Sequence, residues 1–475
     1  MLRAPPGPTD LGTALLLTAL RSRGLSAPRL VVPYLLLLSL FAVSRIFLLV
    51  LTIREPSLNI PSSTGDVRYY YEGWYSVLSH GSFPHDDMRW QYPPAAALAI
   101  LAPGLLPFSY DTSFYLASFA FDVLAFGVLL RACHVRLERT PSGRLRRPAW
   151  AAWVWAIGVP LGGPIVYGRY DLIVTSVTIC ALVLLLGPAG RARKVQQSLG
   201  GALVGLGVLI KIWPALILLA LGPVQRARRA WVSAAISGVA ILGAFCLTMP
   251  NALEFIGHQG HRGIEIESLG ALPFQIAVHH GWDGRLVNYD SFEYVGSWTN
   301  AVALLCLISS LLAVAWLVAW RVTVRTWNTS TVADAALVAL LLFVITSRVI
   351  SPQYMVWLVG LGAACALNFG PRGDSVMRLP VVLVLAATGL SAVEFPYWFD
   401  DLIRADRGAV LLLTVRNLLL VSAALIGAAR LWRSTRGGAV ATAGDRDEPV
   451  PAEHAEGVPP APRAGSRELD STSRP

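Results

Sequence analysis

The stretch TSFYLASFAFDVLAFGVLLRACHVRLERTPSGRLRR, residues 112–147, decides the fold. Residues 112–130 are almost wholly apolar, and a helix of that length approaches the roughly 30 Å of a bilayer's hydrocarbon core. The run then meets six arginines, Arg131, Arg136, Arg139, Arg144, Arg146 and Arg147. Arginine-rich loops stay on the cytoplasmic side. Residues 112–130 therefore read as a membrane helix that begins outside and ends inside. That sets the sidedness of everything before and after it.

Toward the N-terminus, VVPYLLLLSLFAVSRIFLLVLTI (31–53) marks a first span near 30–53. Residues 1–29 read as a cytoplasmic segment. Their short apolar stretch LGTALLLTAL is followed by Arg21 and Arg23 and lacks a secretory cleavage pattern. Between the two spans lies YPPAAALAILAPGLLPF (92–108), cut by Pro93, Pro94, Pro103 and Pro107. A crossing there would put the six arginines outside. It reads instead as a juxtamembrane helix on the outer face, within an outer loop of residues 54–111.

Toward the C-terminus the same test applies. Spans near 149–166 and 170–187 make an outward hairpin that returns to Arg191, Arg193 and Lys194. Residues 198–222 lie between that cluster and Arg226, Arg228 and Arg229, so they enter and leave on one side. Two short helices broken at KIWP (211–214) satisfy this. A span at 230–250 leads to a second outer loop, 251–296. Spans near 297–320, 332–346, 355–369, 379–396 and 409–429 follow. The expectation is an all-α polytopic membrane protein with about twelve crossings and both ends inside. Its membrane domain covers 30–430, and a disordered cytoplasmic tail covers 431–475.

Composition agrees. Of 475 residues, 55% are hydrophobic and only 14% charged, where about 25% charged is ordinary for a soluble domain. A soluble globular enzyme, a disordered chain and a disulfide scaffold are excluded. Unbroken apolar runs exclude a porin-type barrel. The net charge of +10 is nearly all arginine, with two lysines, Lys194 and Lys211. It sits in short clusters between apolar runs, the pattern of membrane topology and not of a nucleic-acid-binding face. Cys133, Cys180, Cys246, Cys306 and Cys365 are scattered without metal or disulfide spacing and read as small buried hydrophobes.

This topology gathers the informative polar residues on the outer side: GDVRYYYEGW (65–74), DDMRWQYPP (86–94), GRYD (168–171), Lys211, GHQGHRGIEIES (257–268) and TSRVISPQY (346–354). Ionisable groups at a membrane are functional by default. Asp66, before the aromatic run Tyr69, Tyr70, Tyr71, Trp74 and Tyr75, suits two roles: the N-cap of an interfacial helix, or a general base in a partly desolvated cleft. Asp86 and Asp87 read as solvated loop carboxylates. Lys211, Arg348, Arg262 and Arg169 are the cations available to a phosphate. Lys211 could also snorkel to the interface, Arg348 could anchor a span end, and Asp171 could pair with a neighbouring arginine. His258, His261, His279 and His280 match no metal motif and read as loop histidines.

In this order the motifs GDVRYYYEGW, QYPPAA, GRYD, KIWP, HRGIEIES and SRVISPQY resemble those of the GT-C membrane glycosyltransferases. The chain is most similar to glycosyltransferase family 87, the actinobacterial polyprenyl-phosphomannose-dependent α-mannosyltransferases, over roughly residues 30–430. The resemblance implies a GT-C-like bundle in the plasma membrane with its active site on the extracytoplasmic face. It implies Asp66 as catalytic base and a lipid-phosphate sugar donor entering from the bilayer. Transfer to a glycolipid or glycan acceptor would invert the anomeric carbon, with no cofactor and no metal. Tyr70, Trp74, Tyr92, Asp171, Glu265, Glu267, Gln353 and Tyr354 then fall among the sugar, lipid or acceptor contacts. Where some members carry a His pair after the later Ser-Pro, this chain has Gln353 and Tyr354. Two alternatives stay open: an arabinofuranosyl donor, and a lipid-linked sugar flippase. The flippase would place its polar groups near the midplane between repeat halves.

Overall fold

The computed structural model describes residues 28–57, 61–85, 87–138, 149–187, 193–222, 224–258, 263–289, 291–328, 330–370 and 375–436. Residues 1–27 and 437–475, with most of the expected cytoplasmic segment and tail, lie outside the described residues. So do Asp86, His261, Arg262 and the basic stretch 139–148.

Each expected span contains a helix. The first is α1 (Pro28–Arg54). In the first outer loop a π turn, Val67–Tyr71, runs into α2 (Glu72–Ser79), and α3 (Ala96–Leu101) is what remains of the proline-cut segment. Then come α4 (Tyr110–Glu138), α5 (Trp150–Leu161), α6 (Asp171–Leu185), α7 (Arg193–Ile210), α8 (Ala215–Ala220) and α9 (Val224–Thr248). The second outer loop holds α10 (Phe255–His258), β1 (Ile264–Glu265), α11 (Leu272–Ala277), β2 (Arg285–Asn288) and β3 (Phe292–Val295). The chain closes with α12 (Thr299–Thr323), α13 (Thr331–Thr346), α14 (Tyr354–Ala366), α15 (Arg378–Glu394), α16 (Phe399–Ile403) and α17 (Arg407–Arg436). The last helix runs past the expected boundary at 430.

The breaks have local causes. After α5 the chain meets Gly162, then Gly163 at φ +70°, then Pro164, a run that cannot continue a helix. Between α7 and α8, Pro214 brings no N–H, and the backbone unwinds over Lys211–Trp213. Irregular backbone at that depth survives only where protein or water covers it.

Burial sorts the helices into two layers. Every residue of α14 from Met355 to Ala366 is buried, and α6 and α13 are nearly so. At 13–16 residues these inner helices reach only about 20–24 Å. Outside them, α12 exposes Leu304, Leu305, Leu307, Leu311 and Leu312, and α9 exposes Val232, Ile236 and Val239. Bands of that kind require an apolar solvent. Among the described residues, five helices are long and apolar enough to cross a membrane: Val32–Arg54, Tyr110–Val135, Ala227–Thr248, Thr299–Thr323 and Arg407–Arg436. Close packing of α7 on α9 depends on small residues. A Cβ at Gly201 would meet the Ala230 carbonyl oxygen at 2.2 Å, and one at Gly205 the Ala234 oxygen at 2.4 Å.

A buried ion pair fastens the N-terminal helices. Arg45 Nε on α1 donates to Asp122 Oδ2 on α4 at 2.9 Å. Trp155 Nε1 and the Tyr167 hydroxyl donate to the same carboxylate at 2.7 Å each. The guanidinium also donates to the Ala156 carbonyl at 2.6 Å and the Trp155 carbonyl at 3.0 Å. Residues on three helices and the turn after α5 thus share one satisfied network.

The second outer loop departs from the all-α expectation. It holds a three-stranded antiparallel sheet in the order β1-β3-β2, with Ile264 opposite Tyr294 and Leu286 opposite the same Tyr294. The strands are of two to four residues, too short for periodicity alone to reveal.

Candidate active site

Asp66 stands immediately before the π turn. Its backbone is helical, at φ −57° and ψ −28°, and its side chain makes no capping bond. The carboxylate instead forms an ion pair with Arg169, from the turn that starts α6. The two side chains are 29% and 15% exposed, so the pair faces an opening without lying free in solvent. Of the two roles suited to Asp66, the N-cap is not the one its side chain fills.

Lys211 occupies the break after α7. Its Nζ lies 2.6 Å from Asp171 Oδ1, and Trp357 Nε1 donates to the same oxygen at 2.7 Å. Four rings surround the ammonium: Trp357 at 4.8 Å, Tyr170 at 5.1 Å, Tyr354 at 5.5 Å and Tyr92 at 5.8 Å to their centroids. Cation–π attraction and a nearly buried counter-ion hold the charge in place. Tyr354 stacks on Trp357 at 4.0 Å and Trp357 on Trp213 at 5.5 Å, which makes one continuous aromatic wall.

A third acid–base pair lies in the first outer loop. Arg89 Nε and Nη2 grip Asp87 at 2.6 and 2.9 Å, and Trp74 Nε1 donates to Asp87 Oδ2 at 2.9 Å. Partial burial works against the Asp87 charge, but the bonds from Arg89 and Trp74 outweigh it and hold the carboxyl below its ordinary range. The Arg89 guanidinium lies 4.7 Å over the Tyr70 ring.

The turn that carries Arg348 is tied to β1. Glu265 N donates to the Arg348 carbonyl at 3.0 Å, and Ile350 N donates to Glu265 Oε2 at 3.3 Å. Complete burial pushes the Glu265 carboxyl up to about 8, against hydrogen bonds from Ile350 and Glu267 that favour its charge. Behind it Glu267 meets Arg416 at 3.1 Å, and Arg416 also reaches Glu394 at 3.4 Å.

These segments close around one cavity of about 1030 Å³. Asp66, Arg169, Lys211, Arg348, Tyr92, Gln353 and Tyr354 all line it. Gly263, Ile264, Ser291, Glu293 and Tyr294 supply one wall, Trp213 and Trp357 another. Thr299, Asn300 and Ala303 on α12, with Phe343 on α13, complete it.

Five expected contacts are not on the cavity surface. Tyr70 and Trp74 stand behind it, supporting Arg89 and Asp87. Asp171, Glu265 and Glu267 are 2–3% exposed, and act as counter-ion or loop clamp. Arg262 lies outside the described residues. His279 faces the Ala405 carbonyl at 2.7 Å, away from the cavity lining. Arg89 and Glu293 line the cavity and were not anticipated. For Arg89 a signal existed, an Asp two residues before an Arg beside a tryptophan. Glu293 had none, because its position depends on the sheet. Among the described residues, no three His, Cys, Asp or Glu side chains converge as a metal site.

The fold and site define a helical membrane protein with a charged, aromatic-walled cavity. The chain belongs to glycosyltransferase family 87, whose model matches residues 90–352. The matched region carries Tyr92, Arg169, Asp171, Lys211, Glu265, Glu267 and Arg348, and leaves Asp66 before it. Two solved structures of ArnT from Cupriavidus metallidurans are similar. One is bound to undecaprenyl phosphate, at 16% identity and TM-score 0.43, covering 87% of this chain and 78% of that one. The other, in the apo state, has 14% identity and TM-score 0.42, covering 86% and 77%. No curated protein matches the chain.

Proposed function

We propose that this glycosyltransferase moves a mannosyl residue, with inversion, from a polyprenyl-phosphate donor to a glycolipid or glycan acceptor on the extracytoplasmic face of the plasma membrane. One observation carries the reading: Asp66, Arg169, Lys211 and Arg348, from four separate segments, line a single cavity. A general base and fixed cations are the two things a single displacement at a glycosyl phosphate needs. The positions of the arginine clusters, from which about twelve crossings are expected, support an extracytoplasmic cavity.

Asp66 takes the proton from the acceptor hydroxyl as its oxygen forms a bond to the anomeric carbon. The bond from that carbon to the phosphate oxygen breaks on the opposite side, and polyprenyl phosphate leaves with the electron pair. Arg348 offers a planar fork to the phosphate. Lys211, already balanced by Asp171, contributes through N–H donation more than through net charge. Arg169 steadies the Asp66 carboxylate. The stacked wall of Trp213, Trp357 and Tyr354 offers flat apolar faces to sugar or isoprenoid.

The test is incubation of the purified protein with labelled polyprenyl-phosphomannose and a mannoside acceptor, beside Asp66→Asn. We expect product from the native protein and a loss of about 10²–10⁴-fold in the variant, which still folds. Full activity of Asp66→Asn removes it as the base. Translocation without product would make the protein a flippase, and product only from an arabinofuranosyl donor would change the sugar.

A further inference from the structure

Glu55 closes the first helical stretch, one residue past α1, and is 2% exposed. A buried carboxylate costs several kcal/mol unless it is paired or hydrogen-bonded. Among the described residues no cation pairs with Glu55. Its two oxygens are instead occupied by three consecutive residues of the first outer loop. Ser63 N donates to Oε1 at 2.9 Å and Ser63 Oγ to the same oxygen at 2.6 Å. Ser62 Oγ donates to Oε2 at 3.1 Å, Thr64 N at 3.0 Å, and the Thr64 hydroxyl completes the set. Glu55 does not line the cavity. Its whole hydrogen-bonding capacity is spent on residues 62–64.

Those residues lead directly into the site. The Thr64 carbonyl accepts from Val67 N at 3.1 Å, and this bond opens the turn on which Asp66 sits. With no capping bond of its own, Asp66 takes its direction from that backbone. The other side of Thr64 packs against Gly168. A Cβ at Gly168 would lie 2.8 Å from Thr64 Cγ2 and 3.0 Å from its Cα, a contact the neighbouring backbone would have to yield to. Gly168 precedes Arg169, the partner of Asp66. One contact between Thr64 and Gly168 thus sets both ends of the ion pair.

We propose that Glu55 is a positioning residue for catalysis: its carboxylate gathers residues 62–64 onto Gly168, which holds Asp66 and Arg169 in register at the cavity. The inference rests on Asp66 acting as base. Glu55, residues 62–64 and Asp66 lie before the region that the family model matches, and Gly168 and Arg169 lie within it. It explains why a carboxylate, with its four acceptor sites, stands just after α1: a neutral amide there would set its NH2 group against one of the two main-chain donors, Ser63 N or Thr64 N.

The test uses the full chain in detergent or nanodiscs with labelled polyprenyl-phosphomannose and a mannoside acceptor. Four variants are compared: Glu55→Gln, Ser63→Ala, Gly168→Ala and Asp66→Asn. Donor binding is measured separately by titration, and folding by thermal melting. A misplaced base slows the chemical step and leaves donor affinity alone. Glu55→Gln and Gly168→Ala are expected to lower kcat by about 10- to 100-fold, with donor KM and Kd within about twofold. Ser63→Ala removes one donor and lowers kcat by about 3- to 10-fold in the same pattern. If Glu55→Gln does not fold, Ser63→Ala and Gly168→Ala decide by the same criterion. Unchanged kcat in these variants while Asp66→Asn is inactive overturns the positioning role and leaves the base intact. Loss of donor binding in step with kcat also overturns it, since that marks general structural damage. A fully active Asp66→Asn removes the base itself, and the positioning role with it.

Discussion

Lys211 Nζ lies 2.6 Å from Asp171 Oδ1, within a ring of four aromatic side chains. The lysine is 16% exposed and the aspartate 2%. Removing one partner of such a pair strands the other charge, at about 3–5 kcal/mol for a fully buried case. With Lys211 still reaching the cavity, the lower end applies. Asp171→Asn is therefore expected to destabilise by about 3 kcal/mol and to lower the melting temperature in detergent. Activity should fall as well, because the neutral amide no longer balances the Lys211 charge beside the aromatic wall. A variant that melts with the native protein would show the pair to be dispensable.

Arg348 shares the cavity with Asp66 but reaches it from the opposite half of the sequence. If it meets the donor phosphate, Arg348→Ala should cost about 10²–10³-fold in kcat/KM for the donor and leave the acceptor KM unchanged. Arg348→Lys should recover only part of that, since an ammonium keeps the charge but not the fork. Steady-state kinetics with donor and acceptor varied in turn would decide. Unchanged donor constants would place the phosphate elsewhere.

Glu265 makes the Arg348 turn sensitive to pH. Burial raises its carboxyl to about 8 in the folded protein, against about 4.3 in an unfolded chain. Between those values the native state binds the extra proton, so stability falls as pH rises. This contribution is complete below about pH 4.3 and is lost as pH climbs through about 8. The charge that forms would lie 3.3 Å from Ile350 N, two residues from Arg348. Glu265→Gln mimics the protonated acid. It should preserve activity near neutrality and flatten the alkaline decline in both melting temperature and rate. An alkaline decline that persists in this variant would belong to another group.

The helical, membrane-spanning character was legible because it depends on long-range counting. Arginine clusters and apolar runs put a helix in each expected span, although α4 and α17 run on to Glu138 and Arg436, and the KIWP break fell where Pro214 made it fall. The convergence of Asp66, Arg169, Lys211 and Arg348 was legible for the same reason: one sidedness rule gathered them. What escaped depends on depth and pairing. Asp171, Glu265 and Glu267 were expected among the sugar, lipid or acceptor contacts, yet each is buried behind the residues it supports. Asp122 sat unremarked in an apolar run, because its meaning comes from Arg45, 77 positions earlier. The small sheet, and with it Glu293, depends on strands too short to carry a period.

Asp122 allows a test that separates architecture from chemistry. Its carboxylate receives Arg45, Trp155 and Tyr167, and Arg45 is 1% exposed. None of the four lines the cavity. Asp122→Asn should leave the guanidinium without its counter-ion and destabilise by about 3–5 kcal/mol, seen as a lower melting temperature. The folded fraction should retain native kcat and KM, since Asp66 and Arg348 keep their surroundings. Replacing both charges, Arg45→Met with Asp122→Leu, should recover most of the stability, because an apolar pair of similar volume has no charge to desolvate. A double variant no more stable than Asp122→Asn would mean that Trp155 and Tyr167, left without an acceptor, dominate the cost. A changed KM in the folded fraction would mean that the cluster reaches the cavity through the turn between Tyr167 and Arg169.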